Sequence, residues 1–63
     1  MKLTLRQWRM MRGLTQPELG KAVGRTANTI LNWEKGYTDL TSKDMDKLRK
    51  VLKLKSTDSI LMQ

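Results

Sequence analysis

Residues 15–36, TQPELGKAVGRTANTILNWEKG, decide the fold, because they contain start and stop signals for two short helices joined by a tight turn. Thr15 and Glu18 have the spacing of a capping box, in which each side chain binds the other residue's backbone amide at a helix start. Pro17 then lies in the first turn, where its missing amide costs no helical hydrogen bond. Gly24 ends this helix, because glycine adopts the left-handed conformation without steric cost. We therefore expect a first helix between Thr15 and Gly24.

A second helix follows after a single intervening residue. Thr26 has the hydroxyl that caps a helix start, and Gly36 supplies the second stop signal. The apolar positions between them are Ile30, Leu31 and Trp33. So short a connection makes the two helices contiguous and steeply crossed, which is the helix-turn-helix arrangement.

The segments on either side of this motif also carry helix signals. Thr4 and Gln7 form another possible capping box, which predicts a helix over residues 5–12. Thr41 caps a fourth helix, and the Asp44 carboxylate is expected to reach back to the Thr41 amide. The apolar face of this helix, which extends to about Lys53, comprises Met45, Leu48, Val51 and Leu52.

The C-terminal segment has a weaker pattern. Ser56 or Thr57 could cap a last short helix that carries the apolar residues Ile60, Leu61 and Met62. Apolar side chains so near a terminus either seal the core or meet a second copy of the chain. We therefore expect an all-α fold, a compact bundle of four to five short helices, with the helix-turn-helix formed by helices 2 and 3. Residues 1–63 are expected to form a single domain.

The composition narrows the possible chemistry. The 63 residues include no cysteine and no histidine, so disulfides, thiolate metal sites and the commonest general base are excluded. Asp44 and Asp46 are two residues apart on a predicted helix and point in different directions, and no nucleophile has a base nearby in sequence. We therefore expect no enzymatic activity, no metal and no cofactor. No apolar run approaches the ~20 residues of a transmembrane helix, which favours a soluble cytoplasmic protein without membrane contact.

The charge of the chain indicates a nucleic-acid partner. The net charge is +7 and the pI is about 10.3. Residues 1–25 hold six basic residues and one acidic residue, which gives +5, whereas residues 26–63 hold seven and five, which gives +2. The excess positive charge therefore lies with the first two helices. General solubility is the competing explanation, because small basic domains are common.

The strings LRQWRMMRGLTQPEL and GRTANTILNWEKG resemble the Cro/repressor-type helix-turn-helix family of phage and bacterial regulators, often called XRE-like. The resemblance runs in one gapless register from residue 5 to about residue 52, and it implies a lambda-repressor-like DNA-binding domain. It also implies a structural ion pair between Arg9 and Glu34. A glutamate in the last turn of a helix needs such a cation, because it opposes the helix dipole. Two separately solvated charges are the alternative.

In a helix-turn-helix, the second helix enters the major groove with its N-terminal residues against base edges. Ile30 and Trp33 must face the other helices, so the outward positions of helix 3 are the candidates for reading bases. Asn28 is the first choice, because asparagine binds adenine through two hydrogen bonds. The other candidates are Ala27, Asn32, Thr26 and Thr29. The alternative is that the asparagines are ordinary polar surface residues.

Four residues are expected to contact DNA phosphates instead. Gln16 lies at the start of helix 2, where free amides and the helix dipole suit a phosphate, and the resemblance also implies that its side chain braces the reading helix. Arg25 stands in the turn, where the family usually has a small aliphatic residue. Lys35 lies at the far end of helix 3, and Thr15 completes the set. Such contacts set affinity and register.

Together these features predict a sequence-specific regulator of transcription, of the repressor or Cro type, that binds double-stranded DNA as a homodimer. We expect no small-molecule ligand, since the chain has no room for a separate effector domain. The alternative is a protein-binding module on the same fold, an antitoxin or antirepressor, that uses Met10, Met11 and the C-terminal apolar residues. DNA binding falls steeply with salt whereas apolar protein binding does not, so salt dependence separates the two. RNA binding is a weaker third possibility, because the chain has no aromatic platform.

Overall fold

Four helices and one short parallel strand pair form the described part of the chain, residues 2–56 and 59–61 of a computed structural model. In chain order the elements are β1 (Leu3–Thr4), α1 (Leu5–Met11), α2 (Gln16–Val23), α3 (Ala27–Lys35), α4 (Ser42–Val51) and β2 (Ile60–Leu61). The expected helical bundle is therefore confirmed, with α2 and α3 as the helix-turn-helix. Among the described residues, no helix has the length and apolar character that crossing a membrane requires.

Threonine side chains start the first two helices, as the sequence predicts. Thr15 Oγ1 accepts the amide of Glu18 at 3.3 Å, and the Glu18 carboxylate accepts the Thr15 amide at 2.9 Å. The same reciprocal pair joins Thr4 and Gln7, at 3.2 and 2.9 Å. Both capping boxes are therefore confirmed, and both helix starts are fixed by partners only three residues away.

The turn of the motif also follows its sequence signals. Gly24 ends α2 and Gly36 ends α3, each in the left-handed conformation, with φ of 74° and 76°. Thr26 caps α3 by accepting the amide of Thr29 at 3.2 Å. These contacts confirm the predicted limits of the two helices.

A single hydrophobic core lies between the helices. Its buried side chains come from every helix, from the segment after α4 and from β2: Leu5, Trp8, Leu19, Val23, Ile30, Trp33, Leu48, Leu52, Leu54 and Ile60. The backbone of α2 approaches the start of α3 closely at Gly20, where an added Cβ would lie 2.8 Å from the Arg25 carbonyl oxygen. The absence of a side chain at Gly20 therefore allows the two helices of the motif to pack tightly.

The fourth helix differs from its prediction in two respects. Thr41 caps α4 by accepting the Asp44 amide at 3.2 Å, but the Asp44 carboxylate accepts from the Thr41 hydroxyl, at 2.9 Å, in place of the Thr41 amide. The carboxylate is turned toward Arg25, which donates two hydrogen bonds from Nη2. The helix also ends earlier than expected, at Val51, because Lys53 has a left-handed φ of 58°.

The last helix predicted for the C-terminal segment is wrong at Ile60 and Leu61. These residues form β2, which runs parallel to β1 with Leu3 opposite Ile60. Pairing with β1 satisfies backbone groups that would otherwise need water or a helix. Ile60 is buried in the core, whereas Leu61 is 45% exposed. Three residues of the predicted helix, Thr57, Asp58 and Met62, lie outside the described residues.

Candidate nucleic-acid interface

The surface of α3 separates into a buried side and an accessible side. Ile30 and Trp33 are buried in the core. Asn28 is exposed, and Asn32, four residues further along the same face, is partly exposed. The other residues expected to read bases are also accessible, in whole or in part: Thr26, Ala27 and Thr29.

The polar side chains near the start of α3 differ in their hydrogen bonds. The hydroxyl oxygens of Thr26 and Thr29 lie 3.1 Å apart, and Thr26 Oγ1 also accepts the Thr29 amide. These two side chains are therefore occupied in starting the helix. The side chains of Asn28 and Asn32 make no hydrogen bond with any described residue. Their amide groups keep donors and an acceptor for an outside ligand.

The far end of α3 is tied to α1 and α2 through Glu34. Arg9 Nε lies 2.6 Å from Glu34 Oε2, and Gln16 Nε2 donates to Glu34 Oε1 at 3.1 Å. Arg9 Nη1 also donates to the Leu14 carbonyl oxygen at 2.8 Å. The side chains of Arg9 and Glu34 are only 11% and 5% exposed. The structure thus brings together the ion pair and the bracing glutamine that the resemblance implies, and joins them in one network.

A groove of about 420 Å³ opens beside this network. Its lining residues are Arg6, Arg9, Gln16, Leu31, Glu34 and Lys35. Arg9 neutralises Glu34 within the groove, so the exposed side chains of Arg6 and Lys35 leave it positively charged. An open groove with this charge suits a phosphate group.

The two polar residues at the start of α2 differ in the hydrogen-bond donors that they keep for a ligand. Thr15 Oγ1 accepts the Glu18 amide, and the Glu18 carboxylate forms hydrogen bonds with the backbone amide and the side chain of Thr15, which hold the pKa of Glu18 below its ordinary value. The Gln16 side-chain amide has two protons, and Glu34 accepts one of them. Both residues lie at the positive end of the α2 dipole, which favours an anion.

Arg25 has a different environment from the other residues expected to bind phosphate. Its Nη2 lies 3.1 and 3.4 Å from the two carboxylate oxygens of Asp44, and its Nε lies 3.3 Å from Oδ1. The Asp44 side chain is 5% exposed and that of Arg25 is 47% exposed. Burial raises the pKa of Asp44, but hydrogen bonds from Thr41 and Arg25, with the charge of Arg25, outweigh burial and hold the pKa below its ordinary value. Asp44 is therefore ionised at neutral pH, with Arg25 as its counter-ion.

Comparison with known families agrees with this geometry. A family model described as helix-turn-helix matches residues 5–60, nearly the whole chain. The chain belongs to the XRE-type helix-turn-helix family. The match confirms the resemblance inferred from the sequence, and with it a DNA-binding domain. No curated protein and no solved structure matches the chain.

Two features of this helix-turn-helix domain were missed in the sequence. Arg6 lines the groove together with Lys35, and its position three residues before Arg9 could have indicated this, because residues so spaced share a helix face. Asp44 was expected to serve only the start of its own helix. No local signal links Asp44 to Arg25, which lies nineteen residues earlier in the chain.

Proposed function

We propose that this helix-turn-helix protein is a sequence-specific regulator of transcription, of the repressor type, whose α3 lies in the major groove of double-stranded DNA. The accessible side of α3 carries the proposal, because Asn28 and Asn32 have no hydrogen-bond partner among the described residues. Asparagine is a poor helix former, so two on one helix face are better explained by a task outside the helix. Such a protein acts in the cytoplasm, on bacterial or phage DNA.

Base reading in this proposal centres on Asn28. Asn28 is exposed, so its side-chain oxygen Oδ1 can accept a hydrogen bond from adenine N6 while its Nδ2 donates to adenine N7, which is the two-point contact that distinguishes adenine. Asn32 reads one turn further along α3, and the methyl group of Ala27 packs against a thymine methyl. Thr26 and Thr29 contribute less to base preference, because their hydroxyls already hold the start of α3.

Side chains around the groove supply the phosphate contacts. Thr15 and Gln16 contact phosphates at the start of α2, Gln16 through the amide proton that Glu34 does not accept, and Arg6 and Lys35 add positive charge. These contacts set affinity for DNA of any sequence and fix the register of α3. Arg25 stands apart from them, because its guanidinium binds Asp44.

The regulator acts as a homodimer on DNA, with one copy on each half-site of an inverted repeat. Ile60 packs in the chain's own core, whereas Leu61 is 45% exposed and is available to contact a second copy. A protein that remains monomeric in sedimentation at high concentration, with and without its DNA site, would contradict this part of the proposal.

The proposal is tested by binding the protein to a pool of random duplex DNA at two salt concentrations and sequencing the retained molecules. We expect an inverted repeat whose half-sites lie about one helical turn apart. Retention that is sensitive to salt but blind to sequence would contradict a specific regulator. The protein-binding alternative would then gain support from Met10 and Met11, which are 59% and 53% exposed.

The substitution Asn28→Ala tests the main reading contact. It should weaken binding to the preferred site by about 1–3 kcal/mol and relax the base preference at one position. Lys35→Met is the contrasting variant, because loss of a phosphate contact should weaken all sequences alike and reduce the salt slope by about one. If Asn28→Ala weakens preferred and scrambled DNA equally in a competition assay, Asn28 does not read a base.

A further inference from the structure

One side chain joins the turn of the motif to α4. Arg25 lies between Gly24, which ends α2, and Thr26, which starts α3. Its guanidinium contacts both carboxylate oxygens of Asp44, at 3.1 and 3.4 Å from Nη2. The contact therefore links the start of the reading helix to a helix that is distant in the sequence.

The carboxylate of Asp44 is a fixed partner for this contact. The residue is 3% exposed, and its Oδ2 accepts a hydrogen bond of 2.9 Å from the Thr41 hydroxyl. The Asp44 amide donates to the same hydroxyl oxygen at 3.2 Å. Because Thr41 starts α4, the direction of the carboxylate is set by α4 itself.

The backbone of Arg25 is held from another direction, by α2. Its amide donates to the Gly20 carbonyl oxygen at 2.7 Å, and a side chain at Gly20 would collide with the Arg25 carbonyl oxygen. Arg25 is thus fixed to α2 by its backbone and to α4 by its side chain. Since Thr26 follows directly, both contacts determine the direction in which α3 leaves the turn.

The pair is better suited to fixing a position than to adding stability. The Arg25 side chain is 47% exposed, so water and salt screen its attraction to Asp44, while burying the Asp44 carboxylate is unfavourable. The contact is nevertheless directional, because two nitrogens of the planar guanidinium, Nε and Nη2, must donate to the Asp44 carboxylate at the same time. It is therefore satisfied only within a narrow range of positions of the turn relative to α4.

We propose that Arg25 is a positioning residue, which acts through Asp44 to set the direction of α3 and thereby the base preference of the domain. In this role it does not bind a phosphate, in contrast to the role expected from the sequence. The inference rests on the proposed reading of bases by α3.

The test compares Arg25→Lys, Arg25→Met and Asp44→Asn, with Lys35→Met as the control for a phosphate contact. Each protein is titrated with the preferred duplex and with a scrambled duplex over a range of salt, well below its own unfolding temperature. Two quantities are measured. The first is the ratio of the dissociation constant for the scrambled duplex to that for the preferred duplex, and the second is the steepness of the slope of log affinity against log salt.

Arg25→Lys is the deciding variant, because lysine keeps a charge for a phosphate but has a single nitrogen, so it cannot reproduce the donation to Asp44 from both Nε and Nη2 of a planar guanidinium. We expect Arg25→Lys and Asp44→Asn to reduce the ratio by about 5- to 100-fold, as loss of a base contact does, without lowering the salt slope. Lys35→Met should lower the slope by about one and leave the ratio unchanged.

The inference is overturned if Arg25→Lys and Asp44→Asn both keep the parent ratio, or if Arg25→Met lowers the slope by about one as Lys35→Met does. Should Arg25→Met fail to fold, the other two variants decide the question. A parent protein that does not distinguish the two duplexes would refute the proposed function itself. That outcome is recognised without any substitution, so the two failures are separable.

Discussion

Gly20→Ala tests whether the close approach of α2 to the start of α3 limits the stability of the motif. In most helix interiors this change is stabilising by about 1 kcal/mol, because alanine loses less backbone entropy than glycine. At Gly20 the added Cβ would lie 2.8 Å from the Arg25 carbonyl oxygen and 2.9 and 3.0 Å from the carbonyl carbon and oxygen of Thr26. All three are backbone atoms, which cannot rotate away as the end of a side chain can. The two helices must therefore move apart, or the turn must distort.

Two opposing contributions set the size of the effect. Overpacking costs about 1–3 kcal/mol, and three backbone contacts at 3.0 Å or less place Gly20 in the upper part of that range. Subtracting the gain in helix propensity leaves a net loss of about 1–2 kcal/mol in the free energy of unfolding. For a domain of this size, such a loss lowers Tm by roughly 5–15 °C.

The assay is thermal and urea unfolding followed by circular dichroism. Lys21→Ala is the matched control, because Lys21 is the next residue of the same helix, is exposed, and should change stability by less than about 0.5 kcal/mol. A Gly20→Ala protein as stable as the parent, or more stable, would refute the reasoning, because α2 and α3 would then separate without cost.

Two further predictions concern carboxylates. Glu34→Ala should destabilise the fold by about 3 kcal/mol, because it leaves the nearly buried Arg9 without its partner. Asp46→Ala is the control, because it removes only exposed ion pairs and should lower the free energy of unfolding by less than about 1 kcal/mol. If urea unfolding shows the same loss of stability for both variants, the Glu34 network is not important for stability. The free energy of unfolding should also decrease as the pH is lowered below about 4. The pKa of Asp44 is lowered in the folded protein, so its ionised form stabilises the native state, and protonation removes that stabilisation. The pKa values of Glu18 and Asp46 are also lowered, so these groups contribute to the same loss of stability in acid. The urea midpoint of Asp44→Asn should therefore fall less than that of the parent between about pH 5 and pH 2. An identical fall would show that Asp44 does not contribute to the acid loss of stability.

The limits of α2 and α3 and the start of α1 could be predicted because their signals are local. Thr15 meets Glu18, and Thr4 meets Gln7, within one turn of the chain, so the capping contacts do not depend on the tertiary fold. Gly24 likewise ends α2 through its own backbone conformation. The helix-turn-helix was therefore evident from the residue pattern.

The contact of Arg25 with Asp44 could not be predicted in the same way. Considered locally, a cation in the turn suggests a phosphate contact, and Asp44 suggests a partner for the helix cap of Thr41. Each interpretation is reasonable for one segment, but the structure packs the turn against α4 and joins the two charges. Such a contact depends on how helices pack, which residue spacing does not determine.

The C-terminal strand was missed for a related reason, since its partner β1 lies at the other end of the chain. Apolar residues after a serine or threonine are typical of a short helix. The segment is instead held by strand pairing and by Trp8, whose Nε1 donates to the Ser59 carbonyl oxygen at 2.8 Å. A helix and a strand would each allow Ile60 to be buried, so hydrophobicity alone does not decide between them.

An arginine–carboxylate pair lies at each end of α3, the proposed reading helix. Arg25 joins its start to Asp44 of α4, and Glu34 joins its end to Arg9 of α1. Both carboxylates are only 5% exposed, and such pairs add little stability compared with well-packed apolar residues, but they limit the arrangements that neighbouring helices can adopt. A helix of nine residues that is fixed at both ends holds Asn28 in one orientation for the proposed contact with a base. We therefore expect the base preference of this domain to depend on charged residues that never touch a base.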